Sequence, residues 1–183
     1  GNNKNILIFG ASGRLGKKVV TELRENIGEN FQILTTSRDK KKSDFILNVD
    51  DIENLKKIIE KTNPYAIINC IAYTDVDDCE INQEDAYKTN AIFPENIIKT
   101  IDSLDLKPKV IHISTDQIYE SNSWSVIGQE KPLNIYSKSK FLGDQNILRY
   151  EKSIILRTNF LWNENNDGPV HWLKNKCKSN EEF

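Results

Sequence analysis

With 183 residues, the chain is long enough for one domain with a full hydrophobic core. Its 25 basic and 27 acidic residues are interspersed and leave a net charge of −2, which argues against nucleic acid or an anionic membrane as the main partner. No apolar run approaches the roughly 20 residues that span a bilayer, the opening Gly1–Asn5 stretch lacks the apolar core of a secretory leader, and Cys70, Cys79 and Cys177 form no CxxC pair, so a cytoplasmic protein is expected.

Along the chain, short apolar runs alternate with helical patterns, the mark of βαβ units around a parallel sheet. Asn5–Phe9 is a continuous apolar run, as in a strand buried on both faces, and it breaks at Gly10. Leu15, Val19, Val20 and Leu23 then recur at helical spacing, with Gly28 at the expected stop. Phe31–Thr35 reads as a second strand and Asp44–Leu47 as a short third; the run Asp39-Lys40-Lys41-Lys42 between them reads as a solvated turn. Asp50 or Asp51 can cap a helix carrying Ile52, Leu55, Ile58 and Ile59, which must end before Pro64. Ala66–Ile71 is a fourth strand. One long helical stretch follows, with Ala86, Tyr87, Ala91, Ile97, Ile98 and Ile101 facing inward and Pro94 bending it. Lys109–Ile113 is a fifth strand ending in Ser114-Thr115-Asp116, residues 120–134 a polar loop, Tyr136–Tyr150 a helix and Ser153–Arg157 a sixth strand. The order predicts a doubly wound α/β fold of the Rossmann type, with ligands bound beyond the carboxyl ends of the strands.

Gly10-Ala11-Ser12-Gly13-Arg14-Leu15-Gly16 reads GxxGxxG between the first strand and the first helix. Backbone without side chains can turn tightly and approach a pyrophosphate, and the helix amino terminus offers N–H groups to it. Ser12 and Arg14 add a hydroxyl and a charge, and no Gly-Lys-Ser/Thr follows, which excludes a P-loop. After the second strand, Thr36-Ser37-Arg38 stands where an acid would bind the ribose 2′-hydroxyl of NAD. Arg38 and Ser37 suit a 2′-phosphate, so NADP(H) is favoured; Asp39, one position on, keeps NAD(H) open.

Tyr136 and Lys140 lie four residues apart on a predicted helix and share a face. An adjacent ammonium stabilises a phenolate, which suits the pair to proton transfer near neutral pH. Thr115, at the end of the fifth strand, can bring a hydroxyl to the same crevice.

These motifs together resemble the extended short-chain dehydrogenase/reductase family. Within it, Asn69–Asp77 (NCIAYTDVD), Ser114-Thr115-Asp116, Tyr136–Gly143 and Arg157–Trp162 (RTNFLW) are similar to segments of the dTDP-4-dehydrorhamnose reductases. The resemblance implies that Thr115 hydrogen-bonds a sugar carbonyl, Tyr136 donates the proton, and Lys140 holds the nicotinamide ribose and tunes Tyr136. It further implies that Ala72 and Tyr73 line the cofactor channel with Thr74 and Val76 close by, that Asn48 and Val49 border the adenine, and that Asn90 sits against the active-site backbone. The implied reaction is NADP(H)-dependent reduction of the C4 ketone of a nucleotide-linked deoxy sugar. Epimerases and dehydratases are chemical relatives, but Thr115 is followed by Asp116-Gln117 rather than their Asp-Glu pair. A non-catalytic, nucleotide-holding regulatory subunit is the other reading. The expected partner is a nucleotide-sugar, with a homodimer compatible with the family.

The resemblance sets residues 1–163 as the dinucleotide-binding domain and 164–183 as the start of a substrate-binding lobe or a carboxyl-terminal extension. Asp75, Asp77, Asp78 and Glu80 read as helix-terminus carboxylates rather than metal ligands. His112 and His171 are too few and scattered for a metal site, so none is expected. His112 reads as a hydrogen-bonded core residue and Cys79 as inert; Trp124, Trp162 and Trp172 either pack or line a sugar pocket.

Overall fold

The computed structural model describes residues 3–115, 117–118 and 130–158. Asp116, most of the expected polar loop, the three tryptophans, His171, Cys177, the end of the Arg157–Trp162 segment and the 164–183 extension lie outside the described residues.

Six strands, β1 (Lys4–Phe9), β2 (Phe31–Ser37), β3 (Phe45–Ile46), β4 (Ala66–Asn69), β5 (Lys109–Thr115) and β6 (Ser153–Thr158), form one sheet in the order β3-β2-β1-β4-β5-β6. All pairings are parallel, and the order reverses between β1 and β4. This is the doubly wound arrangement expected, with its switch point where β1 meets β4.

Strand alternation sends side chains to two apolar layers. Ile6, Ile8, Ile68, Ile111 and Ile113 pack against Val19, Val20 and Leu23 of helix α1 (Arg14–Asn26). On the other face, Leu7, Phe9, Ile67 and Val110 meet Leu55 and Ile59 of α2 (Ile52–Thr62), Ile97 and Ile101 of α5 (Phe93–Ser103) and Ile147 of α6 (Ile135–Leu148). Two short helices, α3 (Val76–Ile81) and α4 (Gln83–Tyr87), precede α5.

Several boundaries differ from the sequence reading. Helix α1 ends at Ile27 in extended backbone, without using Gly28 as a left-handed stop. Helix α2 agrees with that reading: of the two candidate caps Asp51 is used, through Asn54 N–H, and the helix ends before Pro64, at Asn63 in the left-handed region at φ 38°. β4 closes at Asn69, two residues early, because Asn69 Oδ1 accepts the Ile71 N–H and turns the chain out of the ladder. The long helical stretch is broken before Pro94: a π-helical turn, Lys88–Ile92, joins α4 to α5, and Pro94 sits in the first turn of α5, where its missing N–H costs least.

Candidate active site

The phosphate-type loop is built from backbone contacts. Gly10 has φ +78°, and a Cβ there would lie 2.9 Å from Ile71 Cγ1. A Cβ on Gly16 would lie 1.9 Å from the Gly10 carbonyl oxygen, so the loop folds onto its own helix. Ala11 N–H donates to Thr36 O at 2.9 Å and ties the loop to β2. Gly13 caps α1 with no side-chain bond, and the first turn carries no acid, so nothing competes with a ligand anion for that end of the helix.

Beyond the carboxyl ends of β1, β2 and β4 lies a cleft of about 600 Å³. Gly10, Ser12, Gly13, Ser37, Arg38, Asn48, Val49, Ala72 and Tyr73 of the expected cofactor set line it. Arg14 and Thr74 are exposed outside its lining, and Leu15 and Gly16 pack inward behind the loop. Leu47, Asp50, Asp85, Lys88 and Thr89 also line the cleft and were not singled out from sequence. Lys88 and Thr89 directly precede Asn90 in the chain, which is the signal that could have found them.

Arg38 and Asp39 part company at this rim. Arg38 faces the cleft, whereas the Asp39 carboxylate accepts Lys41 N–H at 2.9 Å and lies 3.8 Å from Lys42 Nζ, capping a single 3₁₀ turn (Lys40–Lys42) away from the lining. The lysine run is thus a solvated turn.

The expected reactive residues gather on α6 and β5. Asn134 caps α6 through Ser137 N–H at 2.8 Å. Tyr136 and Lys140 follow one turn apart and are both buried. Tyr136 packs with Cys79 and Ala86, and Lys140 Nζ donates to Ile113 O at 2.9 Å. Burial lowers the Lys140 ammonium to about 8, against the raising effect of Asp144 and Cys70. Thr115 ends β5, buried, its hydroxyl oxygen accepting Gln117 N–H at 3.1 Å.

Asn90 joins the two halves. Its Oδ1 accepts Tyr73 N–H at 2.8 Å, and its Nδ2 donates to Tyr73 O and to Ser139 Oγ, each at 3.0 Å. A fully buried amide therefore fastens the cleft wall to the helix bearing Tyr136 and Lys140.

The remaining residues read structurally. Asp75 caps α3 through Asp78 N–H, Asp78 accepts the Tyr73 hydroxyl, and Glu80 accepts Ile135 N–H at 2.7 Å. Burial, reinforced by these carboxylates, pushes the Cys79 thiol up to about 11, as suits an inert residue. His112 is a buried, hydrogen-bonded strand residue. Among the described residues, no group of His, Cys, Asp and Glu side chains gathers as metal ligands, and no helix is long and apolar enough to cross a membrane.

Residues 4–183 match the family described as "RmlD substrate binding domain". The chain is similar to a dTDP-4-dehydrorhamnose reductase of Mycobacterium tuberculosis, 26% identical over 170 residues that cover 88% of this chain and 52% of the relative. It is also similar to the Methionine adenosyltransferase 2 subunit beta of Xenopus tropicalis, 28% identical over 88% of this chain and 48% of that one. Among solved structures, a dTDP-4-dehydrorhamnose reductase of Bacillus anthracis in complex with NADP superposes with a TM-score of 0.75 at 29% identity, over 100% of this chain and 63% of the other. The chain thus spans about half the length of the curated relatives it matches.

Proposed function

The chain belongs to the RmlD substrate binding domain family, and we propose that it supplies the NADP(H)-binding and proton-transfer part of a reductase acting on the C4 ketone of a nucleotide-linked deoxy sugar. The observation that carries this reading is the Asn90 bridge, which holds a dinucleotide-sized cleft and the Tyr136–Lys140 helix as one unit. Relatives named as dTDP-4-dehydrorhamnose reductases, one of them solved with NADP, support the choice of substrate class and cofactor.

The residues present fit NADP(H). The glycine loop leaves no room for a Cβ at Gly10 or Gly16, and the uncapped start of α1 suits the pyrophosphate. Arg38 and Ser37 suit the 2′-phosphate, while Asn48 and Val49 would border the adenine. When bound, the nicotinamide supplies the hydride. Tyr136 would give its phenolic proton to the ketone oxygen, and Lys140 would hold the nicotinamide ribose and favour the phenolate left behind. Thr115 would donate a hydrogen bond to the same carbonyl oxygen, polarising it before the proton arrives.

The test is NADPH oxidation by the full-length protein with a 4-keto-6-deoxy nucleotide-sugar, in the parent and in Tyr136→Phe. Turnover should fall by roughly 10²–10⁴ in the variant, with NADPH affinity close to the parent's. A variant as active as the parent would remove Tyr136 from the mechanism. A second reading, a nucleotide-holding module that serves a partner enzyme, is favoured by the similarity to a protein named as a subunit. Tight NADPH binding without turnover on any 4-keto sugar nucleotide would select it.

A further inference from the structure

Beneath α6 lies a buried polar layer that the proposed mechanism does not use. Asn69 of β4 pairs with His112 of β5, and alternation turns His112 away from the Ile111 and Ile113 side of the sheet, toward α6. Asn69, His112 and Asp144 are each 0% exposed. Asn69 Oδ1 accepts Ile71 N–H at 3.1 Å, which leaves Nδ2 to donate to His112 Nδ1 at 3.1 Å. A ring nitrogen that accepts carries no proton, so the neutral imidazole holds its proton on Nε2. That nitrogen lies 3.6 Å from Asp144 Oδ1, in electrostatic contact but beyond hydrogen-bond length, and among the described residues neither atom has a hydrogen-bond partner. Asp144 Oδ2 in turn accepts Arg157 Nε–H at 3.3 Å. Asp144 stands one turn after Lys140 and on the same face of α6.

We propose that Asp144, held by Arg157 and lying beside His112, is the counter-charge that keeps buried Lys140 an ammonium, and so acts as a positioning residue for the proton transfer. The placement of Lys140 and Asp144 one turn apart on α6, both buried, carries the pairing; its catalytic meaning rests on the reading of Tyr136 and Lys140 given above. The Ile113 carbonyl of β5 accepts from Lys140, and the titratable groups electrostatically coupled to it are His112 of β5, Cys70 from the end of β4 and Asp144 on its own helix. Asp144 is faced by His112, the Ser114 hydroxyl, Lys140 and Arg157, and Arg157 also lies 3.8 Å from Glu130. Burial, with the nearby Lys140 charge, holds the His112 imidazolium well below its usual range, so His112 is neutral here. Desolvation pushes the Cys70 thiol up to about 12, so it is uncharged where Lys140 titrates at about 8. Burial also raises the Asp144 carboxyl, while the Ser114 hydroxyl, Lys140 and Arg157 favour its charged form, and Asp144 is the acid left to oppose the desolvation of the ammonium.

Lysine labelled with ¹³C and ¹⁵N, incorporated into the full chain and assigned with Lys140→Met, reads the Lys140 midpoint directly. It should lie near 8 in the parent, fall by about one unit or more in Asp144→Asn, and return in Asp144→Glu. An unchanged midpoint in folded Asp144→Asn would overturn the proposal. The parent alone offers a second check that needs no variant to fold: a long-range ¹H–¹⁵N spectrum should show the Nε2–H tautomer for His112, and the Nδ1–H tautomer would overturn it. Fluorescence titration of NADPH and the reductase assay are run alongside. A parent without binding or turnover but with the Lys140 shift defeats the functional reading and leaves the pairing standing; turnover with an unshifted Lys140 does the reverse.

Discussion

Arg38 and Asp39 show how one backbone turn separates two charges that are neighbours in sequence. The Asp39 carboxylate accepts Lys41 N–H and lies near Lys42, while Arg38 lines the cleft together with Gly10 and Ser12. Asp39 does not line the cleft, so no acid from this turn stands where a ribose 2′-hydroxyl of NAD(H) would need one. Charge-assisted contacts to a 2′-phosphate contribute about 1.5–3 kcal/mol. Arg38→Ala should therefore weaken NADPH binding by roughly ten- to a hundredfold while NADH affinity barely moves. Fluorescence titrations of both cofactors against parent and variant decide it, and equal affinities in the parent would remove the basis for an NADP(H) preference.

At the scale of elements, the fit between α6 and the π-helical turn positions the chemistry. Pro94 has no N–H to offer the Asn90 carbonyl one turn back, and that carbonyl instead faces Gly143, where a Cβ would lie 2.0 Å from the oxygen. Gly143 thus lets α6 approach closely enough for Asn90 to reach Ser139 and for Asn146 Nδ2 to donate to Ala91 O at 3.0 Å. Gly143→Ala must push the helix away from backbone that cannot yield. It should cost on the order of 1–3 kcal/mol, read as a lower urea midpoint, and should weaken turnover through the displaced Tyr136. This contact also marks the limit of what the sequence made legible. The strands, the glycine loop and the Tyr136–Lys140 face could be read because each is a local pattern of period or spacing. The π turn could not, because its register depends on Pro94 and on a glycine some fifty residues later. Lys88 and Thr89 escaped for the same reason: the turn, and not a motif of their own, brings them to the cleft. His112 was legible as core from its strand, but its link to Asp144 needed α6 laid across β5.

For the whole molecule, a sheet covered on both faces buries whatever polar groups the site requires, and that burial gives stability a pH dependence. The Lys140 ammonium falls from 10.5 in the unfolded chain to about 8 in the fold. Between those values the unfolded state holds a proton that the folded state has released, so stability rises with pH, by up to about 1.4 kcal/mol per unit. The thiols act in the opposite sense. Cys70 moves from 9.0 to about 12 and Cys79 from 9.0 to about 11, both chiefly by burial, so above pH 9 the folded state retains protons that the unfolded chain loses. Tyr150, raised from 10.0 to about 12 by burial, joins them one unit higher. From pH 8 to 9 Lys140 dominates these shifts; above 9 two thiols outweigh one ammonium, and the sign reverses. The urea midpoint, measured under reducing conditions, should climb to a maximum near pH 9 and then decline. Lys140→Met should lose the climb and keep the decline. A parent profile flat from 8 to 9, or a variant that still climbs, would mean that Lys140 is not the buried ammonium on which the site depends.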